Sequence, residues 1–285
     1  MQRLFLNLRE QRARVYAVKC AKRILAVGLH LRYGDIMKYK FTGRIRFSEV
    51  DNNSVLTFPA LMDYFQDTSI FHGEDNGLSI AVLYENRIAW VLSGWQVRLY
   101  KHMKLNDIAN VSTWAYSFRG SIGLRNYALH DDDGTLCALA DTQYVLINID
   151  TQRPARISQM LVDGYTVEPS HMETGLSRKI RIIPEETHLE DFIVERYMLD
   201  TNNHVNNAQY IKKAMSFLPQ DMRFNTFRAS YLKQAHLGDF MCPYCSELEK
   251  GVQIKFYDAD HEPYFVAEWT EDSEQADARG ECAQK

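Results

Sequence analysis

The chain has 285 residues, 46% of them hydrophobic and 12% aromatic, with 25% charged and a formal net charge of −4, the profile of a folded globular protein of one large domain or two modest ones. Charges interrupt every apolar run before the roughly 20 residues that a membrane-spanning helix needs, so no membrane segment is expected, and the acidic balance gives nucleic-acid binding no support. Five cysteines, an odd number in a chain large enough to fold without staples, are expected as free thiols in a reducing, cytoplasmic setting.

The first 36 residues stand apart, with eight Lys and Arg against Glu10 and Asp35. They contain no Ser and no long apolar core followed by a small-residue cleavage site, so neither a transit peptide nor a secretion signal fits. The expectation is that translation begins at Met37, where MKYKFTGRIRF starts a strand-like pattern.

Beyond that leader the chain repeats itself. Asp51, Asn53 and Leu61 in DNNSVLTFPAL are mirrored by Asp200, Asn202 and Tyr210 in DTNNHVNNAQY at an offset of 149 residues, and Asp107 is mirrored by Asp239 at an offset of 132. The 17-residue difference predicts an insertion in the first copy around HGEDNGLSIAVLYENR. Each copy reads as a strand, a turn, one amphipathic helix and several strands. In the first, Pro59 suits a helix start, Leu61, Tyr64, Phe65 and Thr68 form one face, and Gly73 or Gly77 offers a stop. The segments IAWVLSGWQVRLY, ANVSTWAYSF, GLRNYALHD and CALADTQYVLINI are strands, with HDDDG as a hairpin turn. Residues 166–190 read as a linker. In the second copy Asn206 or Asn207 caps a helix whose inward face is Tyr210, Ile211, Ala214, Met215 and Leu218, ended by Pro219. Cys242 and Cys245 form a CxxC without a second CxxC or a nearby His pair, so no metal is expected there. The fold class is α+β, an antiparallel sheet wrapped around one long helix per copy. The division is a leader 1–36, an N-terminal repeat 37–165, a linker 166–190, a C-terminal repeat 191–270 and a disordered tail 271–285.

Asp200, Asn202 and His204 alternate just before the second helix, and in an extended segment alternate side chains share one side, which would put a carboxylate, an amide and an imidazole in one pocket. The unpaired N–H groups of the following helix start, with Asn206 beside them, offer a place for a carbonyl oxygen or an oxyanion. The first copy has Val55 where His204 stands, so chemistry is expected in the second copy alone.

DTNNHVNNAQYI resembles the active-site signature of hotdog thioesterases. With IAWVLSGWQVRLY, STWAYSFRGSIGLRNYAL and INIDTQRPARI in a doubled chain, residues 38 to 270 resemble the acyl-acyl-carrier-protein (acyl-ACP) thioesterases of plants and bacteria. The resemblance implies two tandem hotdog repeats, hydrolysis of fatty acyl thioesters on acyl carrier protein that ends chain elongation, no cofactor, and catalytic positions at Asp200, Asn202 and His204. It also implies a Glu in a Tyr-x-x-Glu strand after the helix, but here the strand reads Tyr231-Leu232-Lys233-Gln234. Gln234 takes up no proton near neutral pH and can only orient a water or the thioester. Trp90 and Trp95 are candidates for the acyl pocket. Arg98, Lys101, Lys104, Arg119, Arg125, Lys212 and Lys213 are candidates for docking the acidic carrier protein. Three rivals remain: an acyl-coenzyme A thioesterase, a hotdog hydratase, and a non-catalytic acyl-binding protein. The hydratase motif has a Pro after the Asn and its His five residues beyond the Asp, neither of which is found here. Monomer and homodimer are both compatible with a doubled chain.

Overall fold

The computed structural model describes residues 38–168, 171–184, 186–219 and 222–272. The expectations for the basic leader and for a start at Met37, and that of a disordered tail beyond residue 272, lie outside the described residues; Glu271 and Asp272, placed in that tail, are instead held, Glu271 N–H donating to Lys250 O at 2.9 Å and Asp272 N–H to Asn225 Oδ1 at 2.7 Å. Among the described residues, strands rich in Val, Trp, Tyr and Phe pair into one antiparallel sheet of 12 strands. The first half contributes β1 (Tyr39–Arg44), β2 (Ile88–Leu99), β3 (Ile108–Arg119), β4 (Ile122–His130), β5 (Leu136–Asn148) and β6 (Arg153–Pro154). The second contributes β7 (Thr187–His188), β8 (Phe192–Ile193), β9 (Thr226–Tyr231), β10 (Phe240–Leu248), β11 (Gly251–Tyr257) and β12 (Pro263–Thr270). Their order, β1-β3-β4-β5-β2-β9-β12-β11-β10-β7, reads the same topology outwards from a central β2–β9 pair, with β6 on β5 and β8 on β10.

The repeat holds at the level of single hydrogen bonds. Ile45 N–H donates to Asp107 O at 3.0 Å and Leu56 N–H to Met103 O at 2.9 Å; in the second copy Val194 N–H donates to Asp239 O at 3.0 Å and Val205 N–H to Ala235 O at 2.9 Å. Two hotdog repeats in tandem therefore make an α+β protein.

Helix α1 (Phe58–Asp75) starts at Thr57, whose Oγ1 accepts from Ala60 N, with Pro59 in the first turn where its missing N–H costs nothing. It buries Leu61, Tyr64, Phe65 and Thr68. The predicted insertion is real: α1 is 18 residues long and is followed by α2 (Ile80–Glu85), capped by Ser79. A further short helix, α3 (Gln159–Tyr165), closes the first repeat. The counterpart of α1 in the second copy, α4 (Asn207–Met215), has only 9 residues. It starts at Asn206, whose Oδ1 accepts from Ala208 N at 2.9 Å, and it ends before Leu218, which was expected on its inward face. One core cluster runs through both repeats, from Phe65, Trp95 and Tyr127 to Phe227, Tyr210 and Trp269; Phe58 of α1 sits 4.8 Å from the Phe227 ring across the junction.

The segment between the repeats is mostly without regular structure, yet polar side chains of the sheet hold it down. Asn126 Nδ2 donates to Met172 O and its Oδ1 accepts from Met172 N, both at 3.0 Å. Arg98 Nε donates to Thr174 O at 2.8 Å, Gln253 Nε2 to Arg181 O at 2.8 Å, and the buried Lys255 Nζ to Ile183 O at 2.7 Å. With helices on one face and this segment on the other, the middle strands are buried on both sides, which is why they lack a clean alternation of polar and apolar residues.

Candidate active site

Asp200, Asn202 and His204 meet, but not by strand alternation. Residues 200–204 form a tight turn with Asn203 at φ 60°, a left-handed conformation that Asn tolerates. Asp200 closes the turn: its Oδ1 accepts from Asn202 N at 2.7 Å and His204 N at 3.2 Å, and its own N–H donates to His204 O at 2.8 Å. Asp51 does the same in the first repeat, where its Oδ1 accepts from Asn53 N at 2.8 Å and Val55 N at 2.9 Å and Ser54 takes φ 60°. The turn is thus built twice, and only the second copy carries an imidazole.

Neighbouring backbone fixes the turn in place. Val205 N–H donates to Ala235 O, and Asn206 N–H donates to Met198 O at 2.8 Å. The Tyr231 hydroxyl donates to Asn207 O at 3.0 Å, tying the end of β9 to the first residue of α4. Gln234 was expected on that strand, but β9 stops at Tyr231. Gln234 sits in the loop that follows, beside Ala235 and its bond to Val205.

His204 is half-buried, and its ring meets that of His236 edge-on, with centroids 4.8 Å apart. Burial pushes the His204 pKa below the ordinary value; the neighbouring His236 adds to this and Asp200 opposes it. At neutral pH the imidazole is therefore an uncharged base. His236 was not a sequence candidate, because its partner lies 32 residues earlier and only the bond between the two loops brings them together.

This site opens into a cavity of about 950 Å³ lined from both repeats. The second repeat supplies Asp200 through Asn207, with Tyr210, Tyr231 and Gln234. The first supplies an apolar wall that includes Trp90, Phe118, Tyr144 and Tyr165, together with Leu78, Ile80 and Leu83 from the insertion. Trp90 and Asn206 stand in the lining. Trp95 does not: it is 2% exposed and packs in the core, its ring centroid 5.3 Å from that of Tyr127. Arg125 is not a surface residue for docking but a buried part of the cavity wall. Arg98 is likewise taken up by Thr174 and Asp272, and Lys101 by Asp131. Lys104, Arg119 and Lys212 are exposed. Among the described residues no group of three or more His, Cys, Asp or Glu is placed to hold a metal ion, and no helix is long and apolar enough to cross a membrane.

Comparison with known proteins addresses the same two halves. The acyl-ACP thioesterase N-terminal domain matches residues 36–165 and the acyl-ACP thioesterase C-terminal domain matches residues 183–275. The oleoyl-acyl carrier protein thioesterase 1, chloroplastic, of Arabidopsis thaliana is 27% identical over 209 residues, 66% of this chain and 57% of that protein. The palmitoyl-acyl carrier protein thioesterase, chloroplastic, of the same plant is 26% identical over 199 residues, 65% of this chain and 48% of that protein. The chain thus spans less than two thirds of the length of these relatives. Among solved structures, an acyl-ACP thioesterase from Bacteroides thetaiotaomicron shares the fold with a TM-score of 0.75 at 22% identity, over 84% of this chain and 99% of that one. The 12:0-ACP thioesterase from Umbellularia californica does so with a TM-score of 0.73 at 17% identity, over 86% and 98%. With both of its repeats matched by the two domains of one family, the chain belongs to the acyl-ACP thioesterases.

Proposed function

We propose that this protein hydrolyses fatty acyl-ACP thioesters to free fatty acid and holo-acyl carrier protein, ending chain elongation. The observation that carries this reading is the continuity of the cavity, from an apolar wall in the first repeat to the Asp200–Asn207 turn and the start of α4 in the second. The acyl chain lies along the apolar wall, and the thioester carbonyl sits at the turn. The Asn202 side-chain amide, which has no hydrogen-bond partner among the described residues, and the Asn207 N–H at the start of α4, where Ala208 N–H and Gln209 N–H are already taken by Asn206, receive the carbonyl oxygen as it gains negative charge. The neutral His204 takes a proton from water as the water attacks the carbonyl carbon, and returns it to the departing thiolate. Gln234 orients that water, and Asp200 both closes the turn and stabilises the imidazolium that forms. A thioester is already activated, so a positioned base and an oxyanion site are sufficient chemistry for this step.

The acidic carrier protein docks through exposed Lys104, Arg119 and Lys212. The β2–β9 pair supplies within one chain a junction that a single repeat would have to form with a second copy, so the active unit is a monomer, or a dimer of complete sites. The free thiols Cys137, Cys242 and Cys245 support a reducing, cytoplasmic setting. The test is release of fatty acid and thiol from acyl-ACP and matched acyl-coenzyme A thioesters by wild type and His204→Ala. Preference for the carrier-protein substrates, with turnover lowered about 10²-fold or more in the variant, supports the proposal. Preference for coenzyme A moves the substrate class, and binding without release sinks the enzymatic reading.

A further inference from the structure

One charge in the cavity wall has no counter-charge among the described residues. Arg125 stands on β4, 7% exposed. Its Nη1 donates to Thr113 Oγ1 at 3.1 Å and meets His72 Nδ1 at 3.0 Å, and its Cζ lies 5.2 Å from the centre of the Tyr165 ring. All three partners are neutral, since burial, with the arginine adding to it, pushes the His72 pKa down to about 3. Among the described residues no carboxylate pairs with Arg125. A guanidinium does not shed its proton, and a buried cation without an anion or a full set of acceptors is costly.

A second donor beside it is at most weakly engaged. Trp90 Nε1 is buried without a hydrogen bond of normal geometry, although it faces the Tyr165 hydroxyl. Trp90 and Arg125 thus flank the same aromatic ring, with the Trp90 and Tyr165 centroids 6.4 Å apart. The methylenes of a plain fatty acyl chain offer nothing to either donor. An oxygen on the chain offers an acceptor to both.

The strand register says how far along the chain that oxygen belongs. Arg125 pairs with Thr142, Thr142 with Trp95, and Trp95 with Ala229 on β9. Three strand spacings, about 14 Å, separate Arg125 from the strand leading to Gln234, on the order of ten carbon–carbon bonds of an extended chain. We propose that this pocket selects acyl chains that carry an oxygen function in their distal half, received by the Arg125 guanidinium and the Trp90 indole N–H. The inference rests on the thioesterase reading and names its substrate class.

The test uses four carrier-protein thioesters of a twelve-carbon acyl chain: saturated, with a hydroxyl at the third carbon, with a terminal hydroxyl, and with a terminal carboxylate. For wild type, kcat/KM on the terminally oxygenated chains is expected to exceed that on the saturated chain by about tenfold or more, with no gain from the hydroxyl at the third carbon. The two terminal arms separate a neutral oxygen from an anion as the preferred group. In Arg125→Met the ratio is expected to collapse to about one, and in Arg125→Lys to recover in part on the carboxylate arm. Ratios taken within one preparation do not depend on how much of it is folded. Equal turnover of saturated and terminally oxygenated chains by wild type, or an unchanged preference in Arg125→Met, overturns the inference and leaves the thioesterase reading standing. Failure to release any of the four overturns that reading and the inference with it.

Discussion

Asp200 and Asp51 occupy the same turn in two copies of one fold, and that pairing separates a structural role from a chemical one. Either residue as Asn keeps an Oδ1 acceptor for the two backbone N–H groups, so both turns should survive the change. Asp200→Asn, however, also removes the charge beside His204. It is expected to lower kcat by about 10²-fold, whereas Asp51→Asn should stay within about twofold of wild type. Equal losses in steady-state assays would mean that the turn itself, not the charge, is what matters. His204 gives a second prediction at this scale. It must be neutral to accept a proton, so kcat/KM should fall on the acid side as it protonates, at a pH below the ordinary histidine value because its pKa is lowered. Replacing His236 with Asn removes one of the causes of that lowering, so the acid limb should move to higher pH. A pH–rate profile whose limb stays put, or moves down, would remove His204 from the role of base.

Among the elements, the segment between the repeats owes its place to single polar side chains. Asn126, fully buried on β4, gives and takes a hydrogen bond with Met172 as a neighbouring strand would. Asn126→Ala strands the Met172 N–H and C=O and is expected to cost about 2–3 kcal/mol, with faster proteolytic cutting within 171–184. An unchanged urea midpoint and cleavage rate would show that the segment is held elsewhere. The same elements show what the sequence could reveal. The repeat was legible because Asp51, Asp200, Asp107 and Asp239 are demanded by local turn geometry, which leaves a mark at fixed spacing. The strands were legible from their Val, Trp and Tyr content. Asp200, Asn202 and His204 do share one short segment, but not through the alternation expected of them, since Asn203 turns the backbone where an extended run was assumed. Trp95, Arg125 and His236 were misjudged or missed because their surroundings come from residues far away in sequence. Whether a Trp on a strand faces core or cavity depends on the helix above it, here the 18-residue α1 with its added turns.

At the scale of the whole molecule, the candidate site spans the β2–β9 pair: the apolar wall of the cavity is on one side and the Asp200–Asn207 turn on the other. That junction is only five residue pairs long, Gly94–Arg98 against Ser230–Thr226. At one end of it stands Gly94, where β2 resumes its register after the bulge at Ser93. A Cβ at residue 94 would lie 2.8 Å from the Ala229 carbonyl oxygen, too close for any side chain unless the strands part. Gly94→Val should therefore push the repeats apart and destabilise the protein by about 1–3 kcal/mol. How the loss is distributed says more than its size. Because one core cluster spans both repeats, they should unfold as a unit, and the variant should lower the midpoint of a single denaturant transition that intrinsic fluorescence and far-ultraviolet circular dichroism report together. If Gly94→Val instead splits the transition in two, each repeat is stable alone and the junction is a docking surface between domains. The cavity would then depend on an equilibrium between docked and parted halves, and activity would fall with the docked fraction even where each half stays folded.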